Sequence, residues 1–130
     1  MNWIGSQDSF TFTGVSVLDG LRITKRVVLS FIARLFDPLG FASPFAVEAK
    51  FIFQDLWRLD LPWDEEVPAV IAQRFCKWVD DRQLLCQWSV PRNYTGQSWR
   101  DVTNVQLHGF GDVSPIGYGA CVYLRAEMKV

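Results

Sequence analysis

"LHGFGDVSPIGYGACVYLR", Leu107 to Arg125, is the stretch on which the fold turns. Two strand-like runs, about Asn104–Asp112 and Gly117–Ala126, are joined by "VSPI" (Val113–Ile116), a connection short enough for a hairpin. A lone carboxylate, Asp112, closes the first run. Taken alone it reads as a turn former, because a short acidic side chain can bond its own backbone. Gly117 and Gly119 interrupt the second run. They suit either close approach of a nucleic-acid phosphate or tight packing against a neighbouring helix. His108, the one histidine of the chain, has no Cys or Ser partner nearby in sequence and reads as a strand residue.

Upstream the apolar period changes from two to 3.6. Thr24 can cap a helix from Lys25, on which Val28, Ile32, Leu35 and Phe36 share a face. Asp37-Pro38 ends it, since a residue before proline avoids the α region. Ser43-Pro44 restarts a helix with Ser as cap and Pro at its first position; Phe45, Ala49, Ile52, Phe53 and Leu56 line it to near Asp60. An acidic connector, "LPWDEEVP" (Leu61–Pro68), leads to a third helix with Ile71, Phe75, Trp78 and Val79 on one face. "SFTFTGVSV" (Ser9–Val17) alternates as a strand or hairpin closed by "LDG" (Leu18–Gly20), and "CQWSVPRNY" (Cys86–Tyr94) reads as a short strand broken at Pro91. The order is strand, three helices, strand, hairpin. The expected class is α+β.

The composition narrows the function. The 130 residues are 49% hydrophobic and 15% aromatic, which excludes a disordered chain. A net charge of −1 gives no global basic field. Locally, six Lys and Arg face three acids between Arg22 and Arg58. Lys25, Arg26, Arg34, Lys50 and Arg58 are therefore candidate phosphate contacts, against the alternative of an ordinary solvated face. Exposed indoles could stack bases, but Trp57 and Trp78 continue apolar helical faces and are expected in the core. Three cysteines without CxxC spacing argue against a disulfide framework or a zinc site and suggest reduced, intracellular thiols. No signal peptide or membrane span is expected.

Four ordered blocks resemble the pol polyprotein of BEL/Pao-type LTR retrotransposons. "TKRVVLSFIARLFDPLGFASPF" (Thr24–Phe45) is similar to that family's TKR…LS.IA..FDPLG..SP run. "AKFIFQDLWRLDLPWDEEVP" (Ala49–Pro68) is similar to AK…Q.LW…L.WD…P. Pro91-Arg92 matches a PR pair, and the Leu107–Arg125 stretch resembles LHGF.DAS..AYGA.VYLR. The resemblance implies three parts: the end of a reverse-transcriptase-like region (1–20), a three-helix thumb or connection segment (21–100), and the first β-hairpin of an incomplete ribonuclease H-like sheet (101–130).

The resemblance also implies a role for Asp112. It would be the first-strand carboxylate of a nuclease that holds two divalent metals, Mg²⁺ or Mn²⁺, on several carboxylates. Val113 stands where Gly or Ala is usual, and Gly111 where a side chain is. The other carboxylates of such a site would lie further along a longer polyprotein, so no cofactor and no activity are expected of these 130 residues alone. The implied partners are an RNA–DNA hybrid and the flanking reverse transcriptase and ribonuclease H segments, in the cytoplasm or a virus-like particle. Two alternatives remain. The region is often named a Pao retrotransposon peptidase, but an aspartic peptidase sets two Asp in Asp-Thr-Gly or Asp-Ser-Gly turns. Asp19-Gly20 lacks the hydroxyl residue and Asp112-Val113-Ser114 lacks the Gly. The third reading is a domesticated module that binds a protein partner.

Overall fold

The computed structural model describes residues 1–14, 20–96 and 98–129. Val15, Val17 and the Leu18–Asp19 half of the expected turn lie outside them. The elements are β1 (Asn2–Ile4), β2 (Ser9–Thr11), α1 (Lys25–Ala33), α2 (Ser43–Arg58), α3 (Ala69–Arg82), β3 (Ser89–Pro91), β4 (Val102–Ser114) and β5 (Gly117–Met128), with 3₁₀ turns at Gln83–Gln87 and Trp99–Asp101. The protein is α+β, with three helices and small antiparallel sheets. It forms two compact units, Met1–Val90 and Pro91–Val130.

In the first unit α1, α2 and α3 pack around Val28, Phe31, Ala49, Ile52, Leu56, Ile71, Phe75, Trp78 and Val79. The α3 stripe is the one its sequence period predicts. Phe75 is fully buried, edge-on to Phe31 at 5.8 Å and stacked near Trp78 at 6.2 Å. On α2, Ala49, Ile52 and Leu56 are buried, with Phe45 and Phe53 on the flanks.

Thr24 does cap α1: its Oγ1 accepts from the Val27 N–H at 3.3 Å. Three expectations need correction. Phe36 is 65% exposed and Phe31 is buried in its place, because α1 stops at Ala33 and the helical period ends with it. Trp57 is 55% exposed, since it lies one residue, about 100° of helical turn, away from the buried Leu56. Ser43 does not cap α2. The cap residue is Ala42, and no side chain of its own bonds there. Instead Asp37 reaches forward, and its two carboxylate oxygens accept from the Phe41 and Ala42 N–H groups at 3.0 and 2.8 Å. The "FDPLG" motif is thus the corner between α1 and α2. Gly40 belongs in it because its φ of +76° is costly for a residue with a Cβ.

Arg82, at the end of α3, is buried. Its Nη1 donates to Phe31 O at 2.9 Å and its Nη2 to Arg34 O at 2.8 Å. These are carbonyls at the C-terminal end of α1, where a cation is favoured by the helix dipole. Burial, then the nearby Arg34, lowers the Arg82 pKa from its ordinary value. β1, β2 and β3 form a small sheet in that order. Beside it Trp88 contacts Phe12 and Phe41, with ring centres 5.6 and 5.4 Å apart.

Candidate functional site on the terminal hairpin

β4 and β5 pair antiparallel without a break from Asn104↔Glu127 to Ser114↔Gly117. The strands are longer than their sequence suggests, and the turn shrinks to Pro115-Ile116. Ser114, Pro115 and Gly117 occupy the positions a type I turn favours for Ser, Pro and Gly. Ser114 Oγ closes it, donating to Gly117 O at 3.1 Å and accepting from the Ile116 N–H at 3.4 Å.

Alternation divides the ribbon into two faces. One carries Val105, Leu107, Val113, Tyr118, Ala120, Val122, Leu124 and Ala126, with Gly109 and Gly111 between them. The other carries Asp112 with Phe110, His108, Cys121, Tyr123, Gln106 and Arg125. Phe110 and Tyr123 meet edge-on at 5.8 Å on that second face.

Asp112 is exposed and stands opposite Gly119. Its Oδ1 accepts from the N–H of the next residue, Val113, at 2.9 Å. A Cβ added at Gly119 would meet nothing within 4 Å. Tight packing within the described residues therefore does not account for this glycine, and bare backbone lies directly across from the carboxylate. His108 pairs with Tyr123 on the same face and is exposed. Sequence reasoning named Asp112 and passed over Phe110 and Tyr123. The period of two, counted from Asp112 through the turn, is the signal that would have found them.

The candidate phosphate-contacting residues lie in the other unit. Lys25 and Arg26 open α1 and Arg34 follows its last residue, so they lie at opposite ends of the helix; Lys50 is on α2. Lys25 is only 3% exposed. Its Nζ sits 4.7 Å from the Trp57 ring centre and 5.7 Å from that of Trp63. The cause is the acidic connector, which runs beside the start of α1 through Arg26 N–H to Trp63 O at 3.2 Å and Val67 N–H to Ile23 O at 3.0 Å. Arg26 makes a two-pronged pair with Asp64 at 2.7 and 3.0 Å. That hydrogen bond holds the Asp64 carboxyl below its ordinary pKa and raises that of Arg26. The guanidinium of Arg34 is exposed over Phe31. Lys50 is exposed beside a cavity of about 180 Å³ lined also by Ile32, Leu35, Asp37 and Trp78. Neither makes an ion pair among the described residues.

Asp19, the other Asp in the peptidase alternative, lies outside the described residues. Among those described, no three His, Cys, Asp or Glu gather as metal ligands, and no helix is long and apolar enough to cross a membrane.

A family model for the Pao retrotransposon-like RNaseH-like domain matches residues 24–130. The chain belongs to that family. It is accordingly a segment of a BEL/Pao retrotransposon pol polyprotein. The match runs through both units, from the cap of α1 to the end of the hairpin. No curated protein and no solved structure matches the chain.

Proposed function

We propose that this RNaseH-like segment carries the first active-site carboxylate of a retroelement ribonuclease H, Asp112. The helical unit before it serves as a thumb or connection that helps position an RNA–DNA hybrid between polymerase and nuclease. The observation that carries the reading is the placement of Asp112. It stands near the end of a strand, exposed, with open backbone at Gly119 across from it.

A two-metal nuclease needs several carboxylates around its ions. The described residues do not fit such a site by themselves, since Asp112 has no neighbouring ligand cluster. Mg²⁺ or Mn²⁺ would be held only once a longer polyprotein supplied further carboxylates, and Asp112 would be one ligand among them. For the hybrid's phosphates, Arg34 and Lys50 are the candidates that are exposed and make no ion pair among the described residues. Arg26 would have to release Asp64, and Lys25 its indoles. Such contacts give sequence-independent, salt-sensitive affinity.

The test uses a protein extended through the complete downstream domain. It should cut the RNA strand of a hybrid with Mg²⁺, and Asp112→Asn should abolish turnover with hybrid binding retained. The substitution keeps the size and removes the charge. Wild-type cutting by Asp112→Asn would reduce Asp112 to a turn former. Cleavage by the 130 residues alone would show that they already hold a complete site.

A further inference from the structure

The hairpin sorts its residues by charge. His108, Arg125 and Glu127 share the face of Asp112, and Arg125 Nη2 pairs with Glu127 at 3.1 Å. From Val105 to Ala126 the opposite face has no His, Lys, Arg, Asp or Glu. Nothing among the described residues covers it: Leu107, Val113 and Val122 are 71%, 75% and 69% exposed. With Val105, Tyr118 and Leu124 they leave roughly 600 Å² of this face to solvent, the upper end of what a soluble monomer shows in one apolar patch.

The face has a relief. Leu107 stands opposite Leu124, and Val113 opposite Tyr118. Between these two bulky pairs Gly109 and Gly111 bring no side chain, and Gly111 is opposite only Ala120. A Cβ added at Gly109 would meet nothing within 4 Å, and one at Gly111 only Gly119 O at 3.7 Å. The middle of the face is therefore an open hollow. It begins two residues past Leu107, about 7 Å along the strand. A second ribbon, related by a two-fold axis between the Leu pair and the hollow, sets its own Leu pair in this hollow and receives this one in return. That is the self-complementarity an isologous interface needs. Two copies would cover on the order of 1,200 Å² in all, within the range of specific, stable interfaces.

We propose that the uncharged face of the β4–β5 hairpin is the interface of a homodimer. Two ribbons stack face to face, each with Leu107 and Leu124 in the hollow that Gly109 and Gly111 leave in the other. Asp112 stays on the outer face of each ribbon, and the inference does not rest on the role proposed for it. Stacking by faces closes at two copies, whereas pairing along free strand edges continues.

The experiment is sedimentation velocity of the 130-residue chain, in reductant, from about 1 to 100 µM, where an interface of this size should dissociate. Monomer should give way to dimer and stop there, and amide exchange in the hairpin should slow as the dimer fills. Val122→Lys and Cys121→Lys add the same charge one residue apart, on opposite faces. The first should raise the dissociation constant at least about tenfold and the second leave it unchanged. Val122→Thr keeps strand propensity and should still weaken the dimer several-fold, which covers the case in which the Lys variant fails to form its hairpin. Gly109→Val fits the monomer but fills the hollow, so it should weaken the dimer about tenfold although it adds apolar surface. Tighter association by Gly109→Val would mean unspecific apolar adhesion and overturn the interface. So would equal loss from Cys121→Lys, or growth beyond two copies that Val122→Lys leaves untouched. A monomer at every concentration would also overturn it: with slow exchange in the hairpin the face would belong to another part of the chain, and with fast exchange to a different partner.

Discussion

At the scale of single residues, two cations do work that their charge alone does not announce. Arg82 ties α3 to the end of α1 through two carbonyls, and its Nε finds no partner among the described residues. Replacing it with Met keeps the apolar stem and strips one buried and one partly buried bond from the two carbonyls. The expected cost is about 2–4 kcal/mol in a denaturant titration, with Arg82→Lys in between because an ammonium cannot serve both oxygens as a fork does. A cost under about 0.5 kcal/mol would show that water satisfies those carbonyls equally well. Lys25 lies over two indoles, so Lys25→Met should cost about 1 kcal/mol in the same titration. Neither role was legible beforehand. A basic residue in a helical pattern looks the same whether it faces water, a carbonyl or a ring.

At the scale of elements, the packing of α1 against α2 and α3 rests on a few fully buried side chains. Ile52→Ala or Phe75→Ala should each cost roughly 2–5 kcal/mol, because each leaves a cavity where neighbours are already close-packed. A loss below about 0.5 kcal/mol at both would mean that the helical faces are wrongly assigned. The connector is pinned to α1 by the Arg26–Asp64 pair, whose strength depends on pH. The Asp64 pKa is depressed in the folded protein, so its contribution is present above the unfolded carboxylate pKa of about 4 and lost as pH falls through the lower folded value. Stability on the acid limb should therefore fall less steeply in Asp64→Asn than in wild type. Because the pair is exposed, the difference should shrink in high salt. Equal slopes would show that the pair adds nothing to folding.

At the scale of the whole molecule, the two units should differ in how they resist opening. The helical unit has a buried core, whereas nearly every residue of the hairpin is exposed on both faces; Tyr118 reaches 90%. A two-stranded ribbon is marginal in water, and its long unpaired edges invite association. Amide exchange across Asn104–Ala126 should be faster than in α2 and α3, and the chain should tend to aggregate. Exchange as slow as in the helices would mean that the hairpin is protected by contacts beyond its own pairing. The sequence alone determined a good deal. The three helices, the Thr24 cap, the α3 stripe and the hairpin were all readable, because local propensity and period act within a few residues and agree there. Family membership was readable from ordered blocks. Tertiary structure alone decided the rest: that Asp37 rather than Ser43 bonds the amides leading into α2, that Phe31 is buried and Phe36 is not, that Trp57 faces water, and that Lys25 is enclosed by indoles. Each depends on where a distant segment lies against a surface, and burial is set by that partner, not by the residue's own type or spacing.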